Sequence, residues 1–237
     1  MKVLFYDLET TGLDPAKCAI IQFGGILVDI DIDGNFKPLD AIDLKMKPRA
    51  GKWIDTLALE AIGTSLDELM NGDPLQDDSE AYKKLVKFLE KHVDKFNPMD
   101  KLKLCGYNNM HFDTDFLRAW FADNGDKFYG SWFWIDQIDV MSEASRYLLQ
   151  YRPIMKSFSL SSVASVVGVP YEKEDLHNAM YDIKVTLRVF KKIVDSKQMF
   201  LPFDPDRAKE IFELQNKIET KKVDDSRNDG SNWIQVI

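Results

Sequence analysis

The apolar run KVLFYDLE at residues 2–9 ends in two carboxylates, Asp7 and Glu9, set two positions apart. So short a run of large apolar side chains fits a buried central strand, and strand side chains repeat every two residues, so both carboxylates point the same way. Thr10, Thr11 and Gly12 break the strand, AIIQFGGILVDID resumes a second one, and Asp33-Gly34 marks a turn into a third around FKPLDAIDLKMK. This order predicts an antiparallel meander whose central strand carries acids at one end.

Helical periodicity takes over downstream. From Ser79, the residues Tyr82, Leu85, Val86, Leu89, Val93 and Phe96 recur on one face with Lys and Glu on the other. LKLCGYNN reads as another strand, followed by a helix over about 114–123 carrying Phe116, Leu117, Trp120 and Phe121, with Asp113 at the junction. WIDQIDVMSEASRYLL reads as a strand or turn and then a helix, and SFSLSSVASVVGV as a short Ser-capped helix ended by Gly168. A long helix is predicted over about 178–195, with Ala179, Met180, Ile183, Leu187, Phe190 and Val194 as its buried stripe. Strands and helices alternate, so the class is α/β.

At 237 residues with 45% hydrophobic content, the chain can fill one sizeable core, and a second large domain is not expected. Cys18 and Cys105 are its two cysteines and no apolar run precedes the first strand, so we expect a soluble protein of the reducing cytoplasm. No stretch approaches the roughly 20 apolar residues of a membrane span. A net charge of -8 argues against coating nucleic acid through a broad basic face. It leaves room for a metal-dependent enzyme, because acidic ligands add to the count and bound cations reverse the local sign.

Three separated segments carry acids: Asp7 and Glu9 in FYDLETTGLDP, Asp113 in GYNNMHFDTDFL, and His177 with Asp182 in HNAMYDIKVT. One Asp-x-Glu alone is usually a solvated strand end. Clustered, such carboxylates can hold two divalent ions about 4 Å apart, one activating a water and the other stabilising the leaving oxygen of a phosphodiester. Mg²⁺ suits an all-oxygen site and Mn²⁺ can substitute. His177 and Asp182 would lie about 140° apart in one regular helix and would not meet. With His177 in the loop before the helix, its ring can fold over the site and serve as general base.

The order Asp-x-Glu, Asn-x-x-Phe-Asp-x-x-Phe and His-x4-Asp resembles the DEDDh exonucleases of the DnaQ-like, ribonuclease H-related superfamily. The resemblance covers about residues 1–195. It implies a ribonuclease H-like mixed central sheet flanked by helices and 3′ to 5′ hydrolysis to nucleoside monophosphates. It assigns Asp7, Glu9, Asp113 and Asp182 as metal-site acids and His177 as base. The Tyr branch of the superfamily places a tyrosine where this chain has Asn178, so the His branch is favoured. GYNNMHFDTDFLRAWF, WFWIDQIDVM and SFSLSSVASVVGV look like parts of bacterial exonuclease I, a single-strand DNA exonuclease. DLETTGLDP and AIIQFGGILVD look closer to the proofreading and oligoribonuclease branches. Exonuclease I is longer, with accessory domains that help enclose the strand, so high processivity is not expected here.

These readings make single-stranded DNA 3′ ends the expected substrate. An exoribonuclease or oligoribonuclease is the nearest alternative, and an accessory subunit docking on a replication protein is the alternative from another class. Leu13 resembles a position that wedges against the terminal base, or else plugs the core. Thr10, Thr11, Gly12 and Asn109 are the remaining candidate substrate contacts, with loop support as the other role for Asn109. Trp120, Trp132 and Trp134 form either a stacking platform or core, and Lys45, Lys47, Arg49 and Lys52 either guide the strand or solvate a loop. We expect a nuclease domain over 1–200 and a C-terminal helix and tail over 201–237. The helix starts near Pro205 and places Ile211, Phe212, Leu214 and Ile218 against the domain. Beyond it, a polar stretch leads to Trp233, Ile234, Val236 and Ile237, which either dock on a partner or strap the domain.

Overall fold

β1 (Lys2–Thr10), β2 (Ile20–Ile30) and β3 (Phe36–Lys45) form the expected antiparallel meander in a computed structural model that describes residues 1–72, 75–172, 176–197, 203–219 and 233–235. β4 (Trp53–Asp55) leads into α1 (Thr56–Ala61) and α2 (Leu66–Asn71), followed by α3 (Asp78–His92) and β5 (Lys103–Gly106). Next come α4 (Asp113–Asp123), α5 (Tyr129–Trp132), β6 (Ile138–Asp139), α6 (Val140–Tyr147) and α7 (Leu160–Val167). α8 (Ala179–Asp195), α9 (Pro205–Glu219) and β7 (Trp233–Gln235) complete the order. The main sheet has five strands in the order β3-β2-β1-β5-β6, with β1, β5 and β6 mutually parallel, so it is mixed and flanked by helices.

Alternation along β1 divides the interior into two cores. Leu4, Tyr6 and Leu8 join Phe23, Leu85, Leu89, Leu117 and Trp120 on the face covered by α3 and α4. Val3 and Phe5 join Val163, Ile183, Val189 and Phe190 on the face covered by α7 and α8, where the Phe5 and Phe190 rings lie 5.7 Å apart. Truncating either ring to alanine would cost about 3–5 kcal/mol. Asp7 and Glu9 continue the odd-numbered face beyond this apolar stretch.

Several element ends depart from the periodicity. α3 stops at His92, because Val93 turns to extended backbone while staying buried, and Phe96 is 86% exposed in a turn whose N–H donates to Asp94. Pro98 follows two residues after Phe96 and biases Asn97 away from helical backbone. On α8 the buried face is wider than the stripe and rotated from it. Val185, Thr186, Val189 and Ile193 are buried while Met180, Leu187 and Val194 are half-buried, because the helix meets β1 and β2 on one side and α6 and α7 on another. Ser159 and Gly168 cap α7 as expected, the glycine at φ +74°.

α9 covers the domain through fewer side chains than expected. Ile211 is buried, whereas Phe212 and Leu214 are exposed, and the side chain of Ile218 lies outside the described residues. The start of this helix is tied down by the Tyr151 hydroxyl, which accepts from the Asp204 N–H, and by Arg207, which donates to the Val166 carbonyl. β7 runs antiparallel to β4, pairing Trp53 with Gln235 and Asp55 with Trp233. This placement is the strap alternative for the C-terminal segment; the polar run at 222–232, Val236 and Ile237 lie outside the described residues. Removing residues 220–237 is expected to lower Tm by several degrees, read by scanning calorimetry. An unchanged Tm would mean that this pairing holds nothing together.

Candidate active site

β1 outruns its parallel neighbour. Pairing with β5 stops at Phe5 opposite Cys105, so the N–H of Leu8 on that edge is free to donate to Asp113 Oδ1 at 3.1 Å. β5 itself ends at Gly106, where a Cβ would lie 2.7 Å from Asn109 Cβ and 2.9 Å from the Tyr6 carbonyl oxygen, so only glycine lets the chain turn so closely. The turn continues through Asn108 in the left-handed region at φ +62° and delivers Asp113 as the first residue of α4.

Three carboxylates converge. One oxygen from each of Asp7, Glu9 and Asp182 lies within 4.8 Å of the others. Asp182 comes from the first turn of α8; its Oδ2 accepts from the His177 N–H at 3.3 Å, and its Oδ1 is buried without a partner. Asp113 stands apart from this trio, buried, with the strand N–H as its partner.

Burial raises the pKa of every member, and at Asp7 and Glu9 the neighbouring carboxylates add to it. Asp7 is held well above the usual carboxylate range by burial, then by Asp113, Glu9 and Asp182. Burial followed by Asp182 and Asp113 pushes Glu9 up to about 8. Burial takes Asp113 to about 7 and Asp182 to about 6. Among the described residues no Lys or Arg forms an ion pair with any of the four. Convergent hard oxygens, one of them orphaned, and an uncompensated negative charge fit a divalent cation.

His177 lies in the loop immediately before α8, exposed, with φ +67°. It lines a cleft of about 260 Å³ with Glu9, Gln22, Lys45 and Asn178, and Ile21, Ile62, Leu69 and Leu75 give the same cleft an apolar lining. Leu13 is 79% exposed, which removes the core-plug alternative. The other candidate contacts are spent internally. Thr10 Oγ1 donates to the Gly12 carbonyl at 2.8 Å, and Thr11 Oγ1 donates to the Trp53 carbonyl at 2.6 Å while accepting from the Ala19 N–H. Asn109 is fully buried; with its amide oriented to satisfy its neighbours, it donates to the carbonyls of Gly106 and Ile138. These three side chains bond to backbone carbonyls of the domain and are not among the residues that line the cleft.

The family model for RNase_T, described as an exonuclease, matches residues 4–190. The chain belongs to the RNase_T exonuclease family. It is 28% identical to ribonuclease T of Hahella chejuensis over 80% of this chain and 81% of that one. It is also 28% identical to the PolC-type DNA polymerase III of Mycoplasmopsis pulmonis over 78% of this chain, but spans only 11% of that much longer protein. Among solved structures, E. coli exonuclease I in complex with a dT13 oligonucleotide has a similar fold, with TM-score 0.61 and 22% identity over 80% of this chain and 40% of that one.

Two of the three tryptophans and two of the four basic candidates have structural partners. Trp120 and Trp132 are core, and Trp120 Nε1 donates to Asp78. Arg49 pairs with Asp78 and Lys52 with Asp123, leaving Lys45 as the member of that basic run that borders the cleft. The α1–α2 wall was missed in the sequence, although Ser65 and Glu68 form a capping box at the residue types and spacing that announce one. The raised pKa values set a sign for stability. A carboxyl whose folded pKa exceeds its unfolded value stabilises the fold at low pH, and that contribution is lost as pH rises through the folded value. From about pH 4, where an unfolded carboxyl titrates, to about pH 8 for Glu9, the Tm of the EDTA-treated protein is expected to fall. Saturating Mg²⁺ should remove most of this fall. A metal-free Tm that rises across that window would contradict the buried-acid arrangement.

Proposed function

We propose that this exonuclease removes nucleoside monophosphates one at a time from the 3′ end of single-stranded DNA with the help of Mg²⁺. The observation that carries the reading is the convergence of Asp7, Glu9 and Asp182 beside a cleft that His177 borders. Asp7, Glu9 and Asp182 would hold a divalent ion, and Asp113 would assist at a second. Such ions would supply a lowered pKa for bound water and positive charge to offset that of the phosphate. His177 takes the proton from the attacking water, whose oxygen bonds to phosphorus as the 3′ oxygen of the preceding nucleotide leaves. Leu13 stacks on the terminal base, a contact that tolerates any sequence because every base offers an apolar face. The exonuclease I structures solved with dT13 and dA16 oligonucleotides support a single-stranded DNA substrate by analogy of fold.

RNA is the second reading, favoured by the similarity to ribonuclease T along most of that protein's length. The two differ by contacts to the 2′-hydroxyl. Matched 5′-labelled single-stranded DNA, duplex DNA and RNA, digested with Mg²⁺, decide between them. The expected ladder shortens by single nucleotides, fastest on single-stranded DNA. Cuts within circular single strands would overturn the exonucleolytic reading, and faster loss of RNA would transfer it to an exoribonuclease. A replication protein reaching Trp233 would have to work around the β4–β7 pairing.

Substitutions separate ligands from base. Asp7→Asn and Asp182→Asn are expected to fold and to lose nearly all turnover together with Mn²⁺ affinity in calorimetry. His177→Ala should keep most of that affinity and lose about 10² to 10⁴ in kcat, the contribution of a positioned general base. Loss of metal affinity in His177→Ala would make His177 a ligand instead.

A further inference from the structure

Gln22 and Gly24 on β2 meet the N-terminal end of α8 in two different ways. In the β1–β2 register Gln22 stands opposite Glu9, and Gly24 opposite Asp7. Directly opposed residues of antiparallel strands share a face, so both positions lie on the face that carries the carboxylates. Gln22 is 5% exposed, and its amide bonds in two directions. Nε2 donates to Asp43 Oδ1 on β3 at 2.8 Å, and Oε1 accepts from the Ala179 N–H at 3.3 Å. Ala179 opens α8 and is fully buried, so its N–H has neither a helical partner nor water to bond. At Gly24 a Cβ would stand 2.8 Å from Ile183 Cδ1 and 3.0 Å from both Ala179 C and Met180 N. The glycine lets the helix backbone rest on the strand, and the glutamine bonds it there.

We infer that Gln22 is a positioning residue for the exonuclease reaction. Acting through the Ala179 N–H, it holds the first turn of α8 where Asp182 meets Asp7 and Glu9 and where His177 borders the cleft. The inference rests on the roles proposed above for Asp182 and His177. Asp43 sets the orientation of the amide: once its carboxylate accepts from Nε2, only Oε1 is left to face Ala179. Without that acceptor, the buried N–H at the helix start is unsatisfied, and a small shift of the turn toward water relieves it. A displacement of about 1 Å at a reacting centre is enough to cost on the order of 10² in rate.

The test compares Gln22→Met, which keeps volume and removes both bonds, with the exchange Gln22→Glu plus Asp43→Asn. In the exchange, the introduced amide on β3 donates to the introduced carboxylate on β2, whose other oxygen still accepts from the Ala179 N–H. Assays on a short single-stranded oligonucleotide run well below the Tm of each variant. For Gln22→Met, kcat is expected to fall about 10- to 100-fold with KM changed less than about 3-fold, as misplacement of reacting groups predicts. The Mn²⁺ affinity read by calorimetry should weaken in parallel, and the exchange should restore both. Gln22→Glu alone sets two carboxylates together and should be impaired, so recovery on adding Asp43→Asn decides the matter even where Gln22→Met does not fold. A folded Gln22→Met with wild-type kcat and Mn²⁺ affinity, or a folded exchange that restores neither, overturns the inference. Asp182→Asn serves as reference: if it is active, the reading of the site falls; if it is inactive while Gln22→Met is unimpaired, only the role of Gln22 falls.

Discussion

Asp7, Glu9, Asp113 and Asp182 repel one another where burial denies them the screening of water, and much of the architecture answers to that repulsion. Two ionised oxygens no more than 4.8 Å apart, as in the converging trio, would oppose each other by at least about 3 kcal/mol at an effective dielectric of about 20. What opposes this is the apolar packing directly beneath. The even face of β1 is sealed by α3 and α4, and the odd face by α7 and α8, with Phe5 against Phe190 just before the first acid. A divalent cation bound there would turn this repulsion into an attraction, which would link metal binding to folding stability.

Asp113 shows how one acid serves the site without joining the converging trio. Because β1 extends past the end of β5, the Leu8 N–H has no strand partner, and Asp113 takes that place. The bond ties the start of α4 to the acidic end of β1. Beside it, the Tyr6 hydroxyl contacts Thr114 Oγ1 at 2.9 Å, and Thr114 donates to Gln137 at 2.6 Å. A buried polar chain therefore locks β1, α4 and the loop before β6 together.

The meander, the carboxylate face and the capped ends of α7 were legible because each depends on local chemistry: alternation, paired acids, and a serine and a glycine at helix ends. The convergence of Asp182 with Asp7 and Glu9 was legible as an expectation, since three separated segments carried the right groups. Less was legible where a side chain's task depends on what another segment places next to it. Thr10, Thr11 and Asn109 are polar residues beside the acids, but their donors and acceptors are consumed by Gly12, Trp53, Ala19 and the turn after β5. The periodicity of α8 was read as one stripe because nothing local announces that α6 and α7 cover its second side. Gln22 escaped notice for the same reason: a glutamine in an apolar strand is informative only once Asp43 and Ala179 are seen at its two ends.

The backbone of His177 links the two halves of the proposed chemistry. A helix that began one turn earlier would carry His177 about 140° around its axis from Asp182. The chain leaves the helix at Asn178, and His177 takes φ +67°, a conformation that costs a side-chain-bearing residue about 1–2 kcal/mol. Asn178 accepts from the Tyr181 N–H, and the His177 N–H donates to Asp182, which offsets part of that cost. One consequence is that the His177 N–H is bonded directly to the Asp182 carboxylate, so the proposed base and ligand are tied together at the start of α8. The other is directional. His177 is exposed and borders the cleft that Glu9, Ile62 and Leu69 also line, so the proposed base faces solvent beside the proposed ligands.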